Sequence, residues 1–267
     1  MKNKKIIAIL VSGIILLSVI NPMAAAKNGS YSWYCKREKD NKQPMLPYEF
    51  DFITKYDVLW CNTKRKDSDI NKIAYLTFDA GYENGNISKI LDVLAEKDVK
   101  GAFFILKNLI ESNPELVMRM ESEGHLVCNH TANHKNMSKV SNLADFEKEL
   151  SLLDQAYVEL TGNEIKKFYR PPEGSFSEQN LRHAKDLGYI TVFWSFAYAD
   201  WDNNNQPSYE YAKRKILDNI HNGAVMLLHP TSNTNADILG EIIDIMRKEG
   251  YEFGTLDELY DEISLAQ

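Results

Sequence analysis

Short apolar runs and amphipathic stretches alternate along most of this chain, from about residue 71 to its C-terminal end. The apolar runs predict strands, and the stretches with apolar residues three or four apart predict helices. The predicted strands span 73–78, 101–106, 125–129, 167–169, 190–194, 224–228 and 251–254. The predicted helices span 87–97, 114–123, 143–160, 177–187, 208–219, 236–248 and 256–264. This alternation predicts an α/β fold with a parallel sheet covered by helices, and about seven strands favour a barrel or partly open barrel.

Two segments of different character precede this pattern. Residues 1–26 combine three N-terminal lysines, an apolar run over 6–20 and three consecutive alanines ending at Ala26. That arrangement predicts a secretory signal peptide, cleaved near Ala26 and leaving no membrane-inserted segment. An uncleaved membrane anchor is the alternative, for which the apolar run is short. Residues 27–70 are polar, irregular and rich in aromatic side chains. We predict an N-terminal extension that packs onto a single domain over 71–265.

The charge and the cysteine count restrict the class of protein. The chain has 31 basic and 38 acidic residues, and loss of the three signal-peptide lysines leaves 28 against 38, a net charge of −10. An acidic exported domain is unlike a nucleic-acid-binding protein, which presents a basic face. Three cysteines are too few for a four-cysteine zinc site or a disulfide scaffold. Export permits one bridge, and we consider Cys35–Cys61, with Cys128 as a buried thiol.

Ionisable side chains follow five of the predicted strands at or near the point where each strand ends. In a parallel β/α barrel such positions share one mouth, so we expect these side chains to converge. Each one alone has an ordinary structural explanation, such as a helix cap, an ion pair or a buried hydrogen-bonded histidine. The five residues are Asp79, His130, Arg170, Asp200 and His229.

Two histidines four residues apart, His130 and His134, follow the third predicted strand. On a helical turn this spacing places both imidazoles on one face, within reach of one metal ion. A surface pair, or a pair satisfied by other hydrogen bonds, remains the alternative explanation.

Five short motifs in this order resemble the polysaccharide deacetylases with a NodB-homology domain, carbohydrate esterase family four, over about residues 71–256. The resemblance implies a distorted, incomplete (β/α) barrel. The motifs are Thr77-Phe78-Asp79-Ala80, His130-Thr131-Ala132-Asn133-His134, Arg170-Pro171-Pro172-Glu173-Gly174, Asp200-Trp201 and Met226-Leu227-Leu228-His229.

A narrower resemblance is to the muramic-δ-lactam de-N-acetylases of spore-forming bacteria. It rests on Trp33-Tyr34, on the Gly-Tyr-Glu-Asn-Gly sequence at 81–85, and on residues 227–232 with Asn235-Ala236. It implies hydrolysis of the N-acetyl group of N-acetylmuramic acid in peptidoglycan strands that have lost their peptide stems. The freed amine then closes on the lactyl carboxylate, giving the lactam of spore cortex. The implied location is the cell wall or extracytoplasmic space, such as the forespore envelope.

The resemblance also implies roles for individual residues. His130 and His134 would hold a divalent metal, expected to be Zn2+. Asp79 would be the general base and His229 the general acid, with Asp200 orienting His229 and Arg170 holding Asp79. Substrate contacts are expected from Tyr82, Glu83, Asn84, Pro171 and Trp201.

Ala80 departs from the family pattern, because the family's second aspartate, normally the third metal ligand, is replaced by a methyl group. Water or an oxygen group such as Asn84 or Asn129 would then complete the shell, or the metal would bind only with substrate; we favour these two explanations. A non-catalytic glycan-binding module is the third. A deacetylase acting on chitin or acetylated xylan is a further alternative.

Overall fold

The structure is a computed structural model that describes residues 29–265. The predicted signal peptide, 1–26, lies outside this range. Within 29–265 no helix is both long enough and apolar enough to cross a membrane. The extension contains strand β1 (Ser30–Ser32), a 3-10 helix (Tyr48–Lys55) and strand β2 (Val58–Leu59).

Strands and helices alternate through the rest of the chain, as the hydrophobic pattern predicts. All seven predicted strands and all seven predicted helices are present. Helix α2 and the short strands β1, β2 and β7 are additional. The elements are β3 (Lys72–Ala80), α1 (Asn86–Glu96), β4 (Ala102–Ile105), α2 (Lys107–Ser112), α3 (Pro114–Ser122), β5 (Leu126–Asn129), α4 (Leu143–Thr161), β6 (Lys166–Tyr169), β7 (Ser175–Ser177), α5 (Glu178–Asp186), β8 (Ile190–Val192), α6 (Tyr209–Leu217), β9 (Ala224–Leu228), α7 (Asn233–Lys248), β10 (Tyr251–Phe253) and α8 (Leu256–Ser264).

The main sheet is parallel and curls towards closure. Its strands follow the order β10-β3-β4-β5-β6-β8-β2, and β9 also pairs with β3, over Ala74 to Phe78. Phe196, which follows β8, forms a parallel bridge to Met226 of β9. The two ends of the sheet therefore approach each other, which confirms the predicted incomplete (β/α) barrel.

Side-chain alternation along β3 separates the barrel interior from the outer helical layer. Tyr75 belongs to the interior apolar cluster, and Thr77 and Asp79 follow it at intervals of two residues. Phe78 and Ala80 are fully buried in the other cluster, among the apolar faces of α1, α3 and α7. The strand thus directs Asp79 towards the interior and the methyl group of Ala80 away from it.

The extension packs against the barrel through an aromatic cluster. The Trp33 ring stacks between Phe50 and Phe193, with centroid distances of 5.0 and 4.4 Å. Its indole Nε1 donates to the carbonyl of Trp194 at 2.9 Å. Strand β1 pairs antiparallel with β7, and β2 adds a parallel strand beside β8. The extension is therefore continuous with the sheet of the barrel.

All three cysteines are free thiols, so the bridge that we considered between Cys35 and Cys61 is not formed in this structure. The Cys35 thiol instead donates to the Trp194 carbonyl at 3.1 Å. Burial raises the pKa of the Cys35 thiol and raises that of Cys61 to about 12, so both stay protonated at neutral pH. Cys128 is fully buried, as predicted.

Candidate active site

The five ionisable strand-end side chains converge at the C-terminal mouth of the barrel. Asp79 contacts both Arg170 and His130, and Asp200 contacts His229. Asp79, His130 and His229 line one cleft of about 640 Å³. The same cleft is lined by Gly81, Tyr82, Leu106, His134, Glu173, Gly174, Trp194, Ala197, Tyr198, Trp201, Leu227 and Thr231.

The Arg170 side chain is fully buried inside the barrel, where it forms an ion pair with Asp79. Its Nη1 donates to Asp79 Oδ1 at 2.8 Å, and its Nη2 donates to Thr77 Oγ1 at 2.9 Å. Its Nε donates to the Val192 carbonyl at 3.1 Å, and the guanidinium lies 4.1 Å from the centre of the Phe104 ring. Arg170 therefore fixes one carboxylate oxygen of Asp79 and ties β3 to β8.

Asp79 is held in its ionised form. Burial raises the pKa of this carboxyl, but the neighbouring imidazoles in their charged forms, together with the charge and hydrogen bond of Arg170, outweigh burial, and the net effect lowers the pKa. Its second oxygen, Oδ2, lies 3.5 Å from His130 Nε2 and is not used by Arg170. This free oxygen on the cleft side suits proton abstraction from a water molecule.

His130 and His134 both line the cleft, but the prediction that they lie on a helical turn is wrong. Residues 130–134 form an irregular loop, in which Thr131 and His134 have φ values of 75° and 52°. Such left-handed backbone is unfavourable for a β-branched threonine and excludes a helix. The loop nevertheless brings the two imidazoles to a centroid distance of 5.1 Å.

Neighbouring side chains stabilise this strained loop. Asn129 Oδ1 accepts the backbone N–H of Thr131 at 2.8 Å, and Thr131 Oγ1 accepts that of His134 at 3.0 Å. Glu149, buried on α4, accepts the backbone N–H of Asn133 at 3.2 Å. These partners compensate for the backbone strain of the loop.

The donor set at the two histidines suits a metal ion, although it is smaller than the family pattern. The Arg170 carbonyl accepts from His130 Nδ1 at 2.8 Å, which leaves the lone pair of Nε2 directed to the cleft, as in metal-binding histidines. Burial lowers the pKa of His130 to about 4, so the ring is neutral. Ala80 offers no oxygen, and residues 29–265 contain no cluster of three or more His, Cys, Asp or Glu arranged as a metal site.

Neither amide considered as a third ligand is placed well for metal binding: neither lines the cleft. The side-chain oxygen of Asn129 accepts the Thr131 backbone N–H, and its amide nitrogen donates to the Leu150 carbonyl at 3.0 Å. The amide of Asn84 donates to the Thr231 carbonyl at 2.8 Å, outside the cleft lining. The two imidazoles are therefore the side chains of this cleft best suited to hold a metal ion, and water would fill the remaining positions.

His229 is paired with a buried carboxylate. Asp200 Oδ1 accepts from His229 Nδ1 at 2.7 Å, and its Oδ2 accepts the His229 backbone N–H at 2.9 Å. Burial lowers the pKa of the imidazole, but the hydrogen bond and charge of Asp200 outweigh burial and raise it. The ring, 24% exposed, thus favours its protonated form and turns Nε2 to the cleft.

Asn235 and Tyr198 support Asp200, and the sequence did not indicate this role. The amide of Asn235 donates to Asp200 Oδ2 at 2.6 Å and to the His229 carbonyl at 3.2 Å. The Tyr198 hydroxyl donates to Asn235 Oδ1. Residue spacing gives no sign of this support, because Asn235 reaches Asp200 from the first turn of α7.

The five predicted substrate contacts are divided between the cleft and its supporting loops. Tyr82 and Trp201 line the cleft and are 63% and 60% exposed, a suitable arrangement for stacking against sugar rings. Glu83 instead accepts the backbone N–H of Ile87 at 3.0 Å at the start of α1. Asn84 joins two loops through the Thr231 carbonyl, and Pro171 is buried and does not line the cleft.

Replacement of Asp200 by asparagine is expected to shift the alkaline limb of the kcat–pH profile to lower pH. If His229 acts as the general acid expected from the sequence, activity falls as pH rises through its pKa, and removal of the Asp200 charge lowers that pKa. We expect kcat near pH 8 to fall at least about tenfold. Asp202→Asn, which removes an exposed carboxylate two residues away, should keep the wild-type profile. If the alkaline limb of the kcat–pH profile is at the same pH in Asp200→Asn as in wild type, the Asp200–His229 pair does not set the pH dependence of the reaction.

Residues 66–192 match the polysaccharide deacetylase family, and curated members of the family align with most of the chain. The chain therefore belongs to the polysaccharide deacetylase family. It is 38% identical over 241 residues to the peptidoglycan-N-acetylmuramic acid deacetylase PdaA of Bacillus subtilis, covering 89% of each protein. The solved structure of that PdaA, a family 4 carbohydrate esterase, matches with a TM-score of 0.82 and 36% identity, covering 88% of this chain and 98% of that one.

A more distant similarity is to a pseudoenzyme of carbohydrate esterase family four from Bacillus anthracis. Its structure matches with a TM-score of 0.65 and 26% identity, covering 72% of this chain and 66% of that one. Asp200 and His229 lie beyond the 66–192 family match. Their assignment to the site therefore rests on the geometry of the cleft.

Proposed function

We propose that this protein hydrolyses the N-acetyl group of N-acetylmuramic acid residues in peptidoglycan whose peptide stems have been removed. The observation that carries the proposal is that Asp79, held by Arg170, and His229, held by Asp200, line one cleft. The lowered pKa of Asp79 and the raised pKa of His229 favour a base and an acid at these two positions. Amide hydrolysis needs a base to take a proton from water and an acid to give one to the departing amine. The similarity to a deacetylase of N-acetylmuramic acid supports this choice of substrate.

In the proposed reaction the acetamide lies between the two groups. Asp79 Oδ2 takes a proton from the attacking water molecule as the water oxygen forms a bond to the acetyl carbon. His229 Nε2 then donates a proton to the sugar nitrogen as the C–N bond breaks, which releases acetate and a free amine. Asp200 keeps His229 charged and oriented, and Arg170 holds the base. The freed amine subsequently closes on the lactyl carboxyl group with loss of one water molecule, giving muramic-δ-lactam, the lactam of spore cortex.

His130 and His134 are the residues that we propose to hold a divalent metal, with Zn2+ the expected ion. When bound there, the metal would supply Lewis-acid polarisation of the acetyl carbonyl and of water. The neutral, carbonyl-oriented His130 supports this assignment. We place the reaction in the extracytoplasmic cell wall, where peptidoglycan lies.

Metal removal is expected to abolish most acetate release, and added Zn2+ should restore it. Two imidazoles hold zinc less tightly than the usual three protein ligands, so a moderate chelator concentration should suffice. His134→Ala should require more added Zn2+ for half-maximal rate, whereas Lys139→Ala, an exposed change nearby, should not. Full activity after exhaustive chelation, with no zinc found by elemental analysis, would contradict the metal assignment.

A non-catalytic glycan-binding module is the second candidate, and Ala80 together with the similarity to a pseudoenzyme favours it. Acetate release from peptide-free and peptide-bearing peptidoglycan separates the two. No acetate from either polymer, with glycan binding intact, would support the binding module. Parallel assays with chitin and acetylated xylan test the other polymers.

A further inference from the structure

A second groove, of about 460 Å³, adjoins the active-site cleft at the N-terminal extension. Trp194 and Ala197 line both spaces and form the wall between them. The other lining residues of the groove are Trp33, Tyr34, Cys35, Arg37 and Ser195. The extension therefore contributes most of a pocket beside the proposed reaction centre.

Arg37 is the only lysine or arginine among the described residues that line the cleft or the groove. The cleft itself presents the carboxylates of Asp79 and Glu173. Arg37 is therefore the permanently charged cationic side chain of this lining that an anionic substrate group can contact. The groove thus carries the positive charge of Arg37, and the cleft carries the two carboxylates.

The Arg37 guanidinium is held in place without being neutralised. Its Nη2 donates to the Ala197 carbonyl at 2.6 Å, and the guanidinium lies 5.7 Å from the centre of the Phe196 ring. Within residues 29–265 it forms no ion pair. Since a guanidinium has five N–H donors in a planar fork, it retains enough of them to bind a carboxylate.

We propose that this groove receives the lactyl carboxylate of the muramic acid residue being deacetylated, and that Arg37 is the residue that selects for it. The inference rests on the proposed function. In N-acetylmuramic acid the lactyl ether is on ring carbon 3, next to the carbon that carries the acetamide. With the acetamide at Asp79 and His229, the lactyl group starts one ring carbon away, and we infer that it extends past Trp194 and Ala197, which line both spaces, towards Arg37. N-acetylglucosamine has only a hydroxyl at that carbon and gains nothing from Arg37.

The test compares Arg37→Ala with wild type on peptide-free glycan strands, with intact lactyl carboxylates and with these groups converted to neutral methyl amides. A charge-assisted hydrogen bond predicts a loss of about 10–100-fold in kcat/KM for the variant on intact strands, mainly through KM. Conversion of the carboxylates to methyl amides should lower kcat/KM of wild type by a similar factor and leave that of Arg37→Ala nearly unchanged. Arg37→Lys should retain part of the preference, because it keeps the charge but not the fork.

Lys36→Ala is the matched control, since it removes the same charge from an exposed residue that does not line the groove. It should act like wild type on both substrates. Equal activity of Arg37→Ala and wild type on intact strands would overturn the inference, and so would a variant defect that is unchanged on amidated strands. Failure of the proposed function would look different, because wild type would then release acetate from neither form.

Discussion

Replacing His229 by alanine is expected to lower kcat for acetate release by about 10²–10⁴-fold, the usual contribution of one general acid. The hydrogen bond and charge of Asp200 raise the pKa of this imidazole, which favours its protonated form. The fold should remain, because the buried Asp200 carboxylate keeps the amide of Asn235 and the backbone N–H of residue 229 as donors. Initial rates of acetate release and a thermal melt measure the two effects.

Added imidazole provides the control for this variant. A cavity in place of the side chain should admit the free base, and partial rescue of His229→Ala would follow the protonated fraction of added imidazole. The same addition should leave wild type unchanged. Near-wild-type kcat in the alanine variant would remove His229 from the reaction.

Replacing Arg170 by methionine is expected to cost about 3–5 kcal/mol of folding free energy, because it leaves the Asp79 carboxylate buried without its partner. The Thr77 hydroxyl and the Val192 carbonyl also lose a donor. Urea unfolding measures the change in the free energy of unfolding, provided that the variant and wild type have the same m-value. Activity should fall as well, since Asp79 loses the contact that orients it.

Two further variants test this prediction. The double variant Arg170→Met with Asp79→Asn should recover part of the lost stability, because no buried charge remains unpaired. Arg119→Met, which breaks partly exposed pairs with Asp92 and Glu123, should cost only about 1 kcal/mol. An Arg170→Met loss as small as that of Arg119→Met would show that the buried pair contributes little to stability.

The elements of the barrel were predictable because their hydrophobic periods extend over whole strands and helices. Helix α2 has six residues and follows β4 after a single residue, so its pattern is too short to separate from the strand. Strand β2 has only two residues. Its place beside β8 depends on the packing of the aromatic residues around Trp33. The hydrophobic pattern of so short a segment does not indicate this packing.

The positions of the site residues were predictable, but the backbone conformations that orient some of them were not. Strand ends of a parallel barrel share one mouth, which is why Asp79 and His229 meet in one cleft. The spacing of His130 and His134 suggested a helical turn, and a strained loop forms instead. That loop depends on Asn129 and on Glu149 from the next helix, which residue spacing alone does not reveal.

The central claim is that this cleft removes the acetyl group from peptide-free muramic acid residues through Asp79 and His229. The most direct measurement is acetate released from peptide-free peptidoglycan strands by the purified protein, compared with His229→Ala and Asp79→Asn. We predict steady release by wild type, loss of at least about 100-fold in either variant, and much slower release from peptide-bearing strands. Binding of the strands without acetate release by wild type, or equal release by the variants, would contradict it.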